Sequence, residues 1–202
     1  MPSDSSTLWF ATSNRNKFHE AQSVLSRYGI SLRHLRRQKT EIQSRSLTTI
    51  ARFAAEKIAV KESRIVVVED SGLFVEAIGG FPGPFSSYVL TTIGLSGMLR
   101  LIHGFRNRSA YFQAAIALSF PGSGSAMFTG YARGRISKKA RGSQGFGYDP
   151  IFIRNGATRT FAEMGLEYKN RYSHRAVAFG KLARWCRARG IARSETTITT
   201  ES

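Results

Sequence analysis

The stretch from Ser109 to Ile136 constrains the fold of this chain more than any other. Ser109–Phe120 and Ala126–Ile136 are apolar-rich runs of strand length, separated by the turn-forming residues Pro121-Gly122-Ser123-Gly124-Ser125, and they predict an antiparallel pair. The pattern upstream is different. Leu8–Thr12 reads as a short buried strand, after which Phe18, Ala21, Leu25 and Tyr28 recur at helical spacing until Gly29. Ser31–Leu35 then reads as a strand, Leu47–Val60 as a helix and Arg64–Glu69 as a core strand. Further on, Leu95–His103 reads as helical and Ile151–Ile153 as a short strand, and Ser173 caps a helix running to Arg189. Strands that alternate with helices early and pair as hairpins late favour an α/β protein with a mixed sheet over a purely parallel one.

A chain of 202 residues suits one large domain or two closely joined lobes, and is long enough to bury a proper core. The expected domain is 8–190, between Ser/Thr-rich ends at 1–7 and 191–202 that are expected to be flexible. Cys186 is the single cysteine, which excludes an intramolecular disulfide and suits a reducing cytosol. The first residues lack a basic start and an apolar leader, and no apolar run approaches the roughly 18 residues of a membrane span. These features point to a soluble cytoplasmic protein with no membrane partner. The formal charge of +17 points to anionic partners without saying whether they are nucleotides or nucleic acid, and scattered solvated arginines would explain it equally well.

Against 30 Lys+Arg the chain has 13 Asp+Glu, and its aspartates are Asp4, Asp70 and Asp149. It nevertheless places Glu69 and Asp70 side by side where the core strand ends. Carboxylates at the C-terminal end of an α/β strand are the oxygen ligands that Mg²⁺ prefers, and one of them could instead take a proton from water. Neighbours on an extended strand point to opposite faces, so the two share one role only if the strand bends there. An acidic loop start with Ser71-Gly72 as its turn is the plain alternative.

Three further stretches carry site-like chemistry. In "ATSNRNKFHEA" a strand turns into a helix whose N-terminus is an anion seat; Thr12, Ser13 and Asn14 add neutral donors and Lys17 an ammonium, a set that suits a polyphosphate. A simple helix cap with a surface lysine would look the same. In "GSQGFGYDPIF", Gly145 and Gly147 flank Phe146, so backbone and ring can approach a flat ligand, and Tyr148-Asp149-Pro150 fixes the exit. In "KNRYSHRAVA", His174 and Arg175 occupy the first turn behind Ser173, against the preference for acids there, so a ligand oxygen or a nearby carboxylate is expected to face them. No Walker P-loop, no H-E-x-x-H and no G-x-S-x-G elbow occurs, and Cys186 beside Trp185 reads as a packing residue.

Taken in order, "ATSNRNKFHEA", "VVVEDSGLFVEAIGGFPGPFSSY", "GFGYDPIF", "FAEM" and "KNRYSHRA" resemble the inosine triphosphate pyrophosphatase (Ham1-like) family, over nearly the whole chain. The resemblance implies two α/β lobes around a long mixed sheet, with the active site in the cleft between them, and commonly a homodimer. It implies Mg²⁺-dependent hydrolysis of inosine and xanthosine triphosphates and their deoxy forms to monophosphate and pyrophosphate. By the same resemblance Thr12, Asn14, Lys17 and Lys169 would hold phosphates, Glu41 would bind metal, and Glu69 and Asp70 would handle metal and attacking water, with Ser71 beside them at the substrate. Phe146 would stack on the base, Tyr148 and Asp149 would shape its pocket, and Ser173, His174 and Arg175 would read its edge. The chain departs from the family pattern at Thr40, where a proline is usual, and at Tyr168, where a glutamate usually precedes Lys169-Asn170. A Maf-like pyrophosphatase acting on pyrimidine nucleotides is the near alternative. A non-catalytic nucleic-acid-binding protein is the distant one; it would explain the charge but not Glu69-Asp70 or Gly145-Phe146-Gly147.

Overall fold

The computed structural model describes residues 7–37 and 42–191. Among the described residues a mixed sheet of seven strands has the order β2 (Leu32–Leu35), β1 (Leu8–Ala11), β3 (Val66–Val75), β5 (Ser109–Ser119), β6 (Ser125–Ile136) and β7 (Phe152–Arg154), with the short β4 (Pro82–Gly83) also paired to β3. β1 lies parallel to β2 and β3, and every later pairing is antiparallel. The helices are α1 (Arg15–Ser26), α2 (Leu47–Glu62), α3 (Ser86–Leu101), α4 (Phe161–Tyr172) and α5 (His174–Ala188). No helix among the described residues is long and apolar enough to cross a membrane. The mixed sheet and the 109–136 hairpin agree with the sequence reading.

β3 differs from it. Asp70-Ser71-Gly72 form no turn; the strand runs on to Val75, and the three residues pair with Ala115, Ala114 and Gln113 of β5. The long partner strand supplies a hydrogen-bonding ladder through residues whose polarity looks like a turn. Gly72 is required there by space, because a Cβ would sit 2.1 Å from the carbonyl oxygen of Gly83.

Pleat alternation sorts the core. Val66 and Val68 face α2, whose alanine face (Ala51, Ala54, Ala55, Ala59) lets helix and sheet approach closely. Val67 faces the other way, into a cluster with Phe10, Leu25, Ile116, Phe179 and Leu182, in which Phe10 and Phe179 meet edge to face at 5.6 Å. Leu73 and Val75 share the pleat face of Val67 but belong to a second cluster with Phe112, Phe152 and Phe161 on the far halves of the strands. Each large apolar side chain fully buried in these clusters contributes about 1.5–3 kcal/mol. Between the two clusters on that face stand Glu69 and Ser71. The polar gap between two apolar lobes is the floor of the cleft.

Candidate active site

A cavity of about 870 Å³ opens between the lobes, lined by Thr12, Ser13, Asn14 and Lys17 at the start of α1, by Glu69, Asp70 and Ser71 of β3, and by Phe146, Tyr148, Asp149, Lys169, His174 and Arg175. The N-terminus of α1 is built from local hydrogen bonds. The Asn14 side chain accepts from the Lys17 backbone N–H at 3.2 Å, and Thr12 Oγ1 accepts from the Asn14 N–H at 3.1 Å. Asn14 is therefore both the helix cap and part of the cavity wall.

Glu69 and Asp70 are separated by the pleat of β3. Asp70 lies on the α2 face, half-buried at the cavity wall. Glu69 lies on the α1/α5 face with its side chain fully covered; Lys17 Nζ stands 2.8 Å from its Oε2, and Arg175 Nε donates to its Oε1 at 3.0 Å. Burial works to raise the Glu69 carboxyl, but Arg175 and Lys17 outweigh it and hold the group well below the ordinary carboxylate range. Both Glu69 oxygens thus face cations.

Arg175 is 2% exposed. Besides Glu69 it pairs with Glu20, and its Nη2 donates to Ser71 Oγ at 3.1 Å. Burial would favour loss of its proton, but Glu69 and Glu20 hold it charged more firmly than usual. Lys169 bridges Glu20 at 2.8 Å and Asp149 at 2.6 Å, with its ammonium 4.1 Å from the centre of the Phe146 ring. It therefore stands beside the Phe146 ring and is tied to α1 through Glu20. Asp149 Oδ2 also accepts from the Phe146 N–H at 2.8 Å, and burial pushes this carboxyl up against the pull of Lys169. The turn needs glycine at 145: its φ is +81°, and a Cβ would lie 2.3 Å from Asp149 Oδ2.

His174 is buried, stacked on Phe112 with ring centres 4.6 Å apart, and its Nδ1 has no hydrogen-bond partner. Burial first, and Arg175 second, hold its pKa well below the usual value, so the ring is neutral at neutral pH. Tyr148 donates its hydroxyl to the Ser86 carbonyl at 2.9 Å and braces the wall. Ser173 does not line the cavity; its side chain caps α5 by accepting from the Ala176 N–H at 3.1 Å. Glu41 lies outside the described residues. The acid that sequence reasoning missed is Glu20, and it carried one signal: it sits one residue before Ala21 and four before Val24, inside the buried stripe of α1.

A family model described as the Ham1 family matches residues 8–185. The chain is 48% identical over 176 residues to the dITP/XTP pyrophosphatase of Methanopyrus kandleri, covering 87% of this chain and 94% of that protein. It is 50% identical over 172 residues to the protein of the same name from Saccharolobus solfataricus, covering 85% and 89%. Among solved structures, a HAM1 protein from Coxiella burnetii superposes with a TM-score of 0.81 at 26% identity, covering 90% of this chain and 98% of that one. The Staphylococcus aureus Ham1 protein shares the fold with a TM-score of 0.76 at 24% identity, covering 91% and 99%. Match length, identity and architecture agree, and the chain belongs to the Ham1 family.

Proposed function

We propose that this protein hydrolyses the non-canonical purine nucleoside triphosphates ITP, dITP and XTP to the monophosphate and pyrophosphate, clearing them from the nucleotide pool. The observation that carries the reading is the lining of one cavity: a helix N-terminus with Lys17, a half-buried aromatic ring beside buried donors, and the Asp70 carboxylate all face it. The names of the relatives point the same way, to purine substrates and not to pyrimidines. A purely nucleic-acid-binding role would leave the buried charges without a use. Part of the high arginine content has a structural use, since Arg108 donates to the carbonyls of Ile136, Ile102 and Ser137 and both Arg33 and Arg64 lie over the Trp9 ring.

In this reading the triphosphate lies along Thr12, Asn14 and Lys17, and the base stacks on Phe146. Arg175 has five N–H donors, of which three are engaged by Glu69, Glu20 and Ser71, leaving two for a ligand. A carbonyl oxygen at purine position 6 accepts from them, whereas the amino group of adenine meets only donors. His174, neutral and with Nδ1 unpartnered, can complement the neighbouring ring nitrogen. Asp70 takes the proton as the water oxygen bonds to the α-phosphorus, and the bond from that phosphorus to the bridging oxygen breaks as pyrophosphate leaves.

Mg²⁺ is part of the proposal. It usually takes one or two carboxylates together with phosphate oxygens and water; Asp70 at the cavity wall would supply one and, by the family resemblance, Glu41 the second, while Glu69 is held in ion pairs. When bound it would neutralise charge developing on the phosphates. We also propose a homodimer in the cytoplasm: Phe81, Phe85 and Tyr88 are 41%, 44% and 69% exposed, so the protein's own core does not cover them, and a single-chain mass in light scattering would remove that assembly.

The substrate reading is tested by a nucleotide panel with chromatography of the products. Turnover of ITP, dITP and XTP to monophosphate and pyrophosphate, with ATP and GTP much slower, is expected. Preferred turnover of pyrimidine triphosphates, or release of diphosphate and free phosphate, would overturn it.

A further inference from the structure

Six side chains form one unbroken line of alternating charge: Asp149, Lys169, Glu20, Arg175, Glu69 and Lys17. Four of its links measure 2.6, 2.8, 3.0 and 2.8 Å, and the Glu20–Arg175 pair closes the line between the second and third. Its two ends do different things. Asp149 holds the Phe146 turn, and Lys17 stands at the N-terminus of α1. The residues come from α1, β3, the Tyr148-Asp149 turn, α4 and α5, so the line crosses from one lobe to the other.

Glu20 is the middle of this line and differs from its neighbours. Lys169 and Arg175 line the cavity, but Glu20, 3% exposed, does not. It cannot touch a ligand held there, yet it fixes the two cations that would. On the proposed function above, we infer that Glu20 is a positioning residue that links base reading to phosphate holding, by setting Arg175 against Glu69 and hence the aim of Lys17. Glu69 is shared between Arg175 and Lys17, so any movement of the guanidinium against a ligand changes how Glu69 holds the ammonium. In a buried, weakly screened setting such shared hydrogen bonds act on one another. A correct base settles Arg175 between its two carboxylates, which leaves Lys17 anchored on Glu69 with its other hydrogens aimed along α1 at the phosphates. An amino group pressed against Arg175 displaces the guanidinium, and the displacement reaches Lys17 two links away.

The test is Glu20→Gln, with Glu20→Asp beside it as a charged variant too short to hold both cations, in case the first fails to fold. Initial rates with ITP and ATP are measured for each, alone and in a Lys17→Met background. The inosine-to-adenosine ratio of kcat/KM is expected to narrow by about fivefold or more, a typical coupling between sites, with the loss for ITP falling mainly on kcat. In the Lys17→Met background the same substitution should cost little further, because its route to the phosphates is already gone. A merely structural Glu20 would lower thermal stability and scale both substrates equally, leaving the ratio unchanged and the two substitutions additive; that result in both Glu20 variants would overturn the inference. Absence of ITP turnover in the unaltered protein would instead overturn the proposed function on which it rests.

Discussion

Asp70→Asn is expected to fold with near-native stability and to lose about a hundredfold or more in kcat, the scale on which a positioned base or metal ligand contributes. Asn keeps the shape of Asp, and the residue is half-buried on a strand paired with β5 along its whole length, so little packing changes. What changes is the charge at the cavity wall. Glu69→Gln should behave differently. It removes the buried partner of Lys17 and Arg175, so its cost should appear first in stability and in triphosphate binding. Steady-state kinetics and thermal melts of the two variants separate the roles of adjacent acids; near-native turnover in Asp70→Asn together with a dead but folded Glu69→Gln would reverse them.

Arg175→Met should lower stability at neutral pH by about 3–5 kcal/mol, the usual cost of removing one member of a buried charge network. At about 2–4 °C per kcal/mol in a chain of this size, the melting temperature should fall by about 6 °C or more. Lys17 and Lys169 remain on Glu69 and Glu20, but each carboxylate loses a partner in a site closed to water. The pH dependence has a definite sign. In the intact protein both carboxyls are held below their ordinary value of 4.5, so they stabilise the fold fully above that pH and lose the contribution as pH falls through their lower folded values. Without Arg175 that lowering is reduced, so the gap between variant and parent should be widest near pH 7 and shrink below about pH 4.5. Urea melts at several pH values give the result directly, and a gap that stays constant with pH would show that the cost is packing alone.

Much of the fold was legible because the strands announce themselves by length and by the turns between them. The hairpin of β5 and β6 and the Ser173 cap of α5 are cases in which local chemistry and tertiary structure agree. The continuation of β3 was hidden, since Asp70-Ser71-Gly72 has turn composition and only the partner strand makes it a ladder. α4 was missed, and α3 was found only from its second half, because Gly165 at φ +81° and Gly94 at φ +65° break the helical period that pattern reading depends on. The site was legible as separate motifs: Lys17, Glu69, Asp70, Phe146, Asp149, Lys169, His174 and Arg175 all line one cavity. Their pairing was not. An acid such as Glu20 on a helix is ordinarily solvated, and nothing local says that two cations more than a hundred residues away will bury it. Lys169 likewise gives no local sign that it will be buried between Glu20 and Asp149 beside Phe146.

On the proposed function, water activated at Asp70 attacks the α-phosphorus. Hydrolysis of inosine triphosphate in ¹⁸O-labelled water, with mass spectrometry of both products, tests it directly. The label is expected in the inosine monophosphate and not in the pyrophosphate. Label in the pyrophosphate would mean attack at the β-phosphorus and would contradict the arrangement of substrate, Asp70 and Lys17 proposed for this cleft.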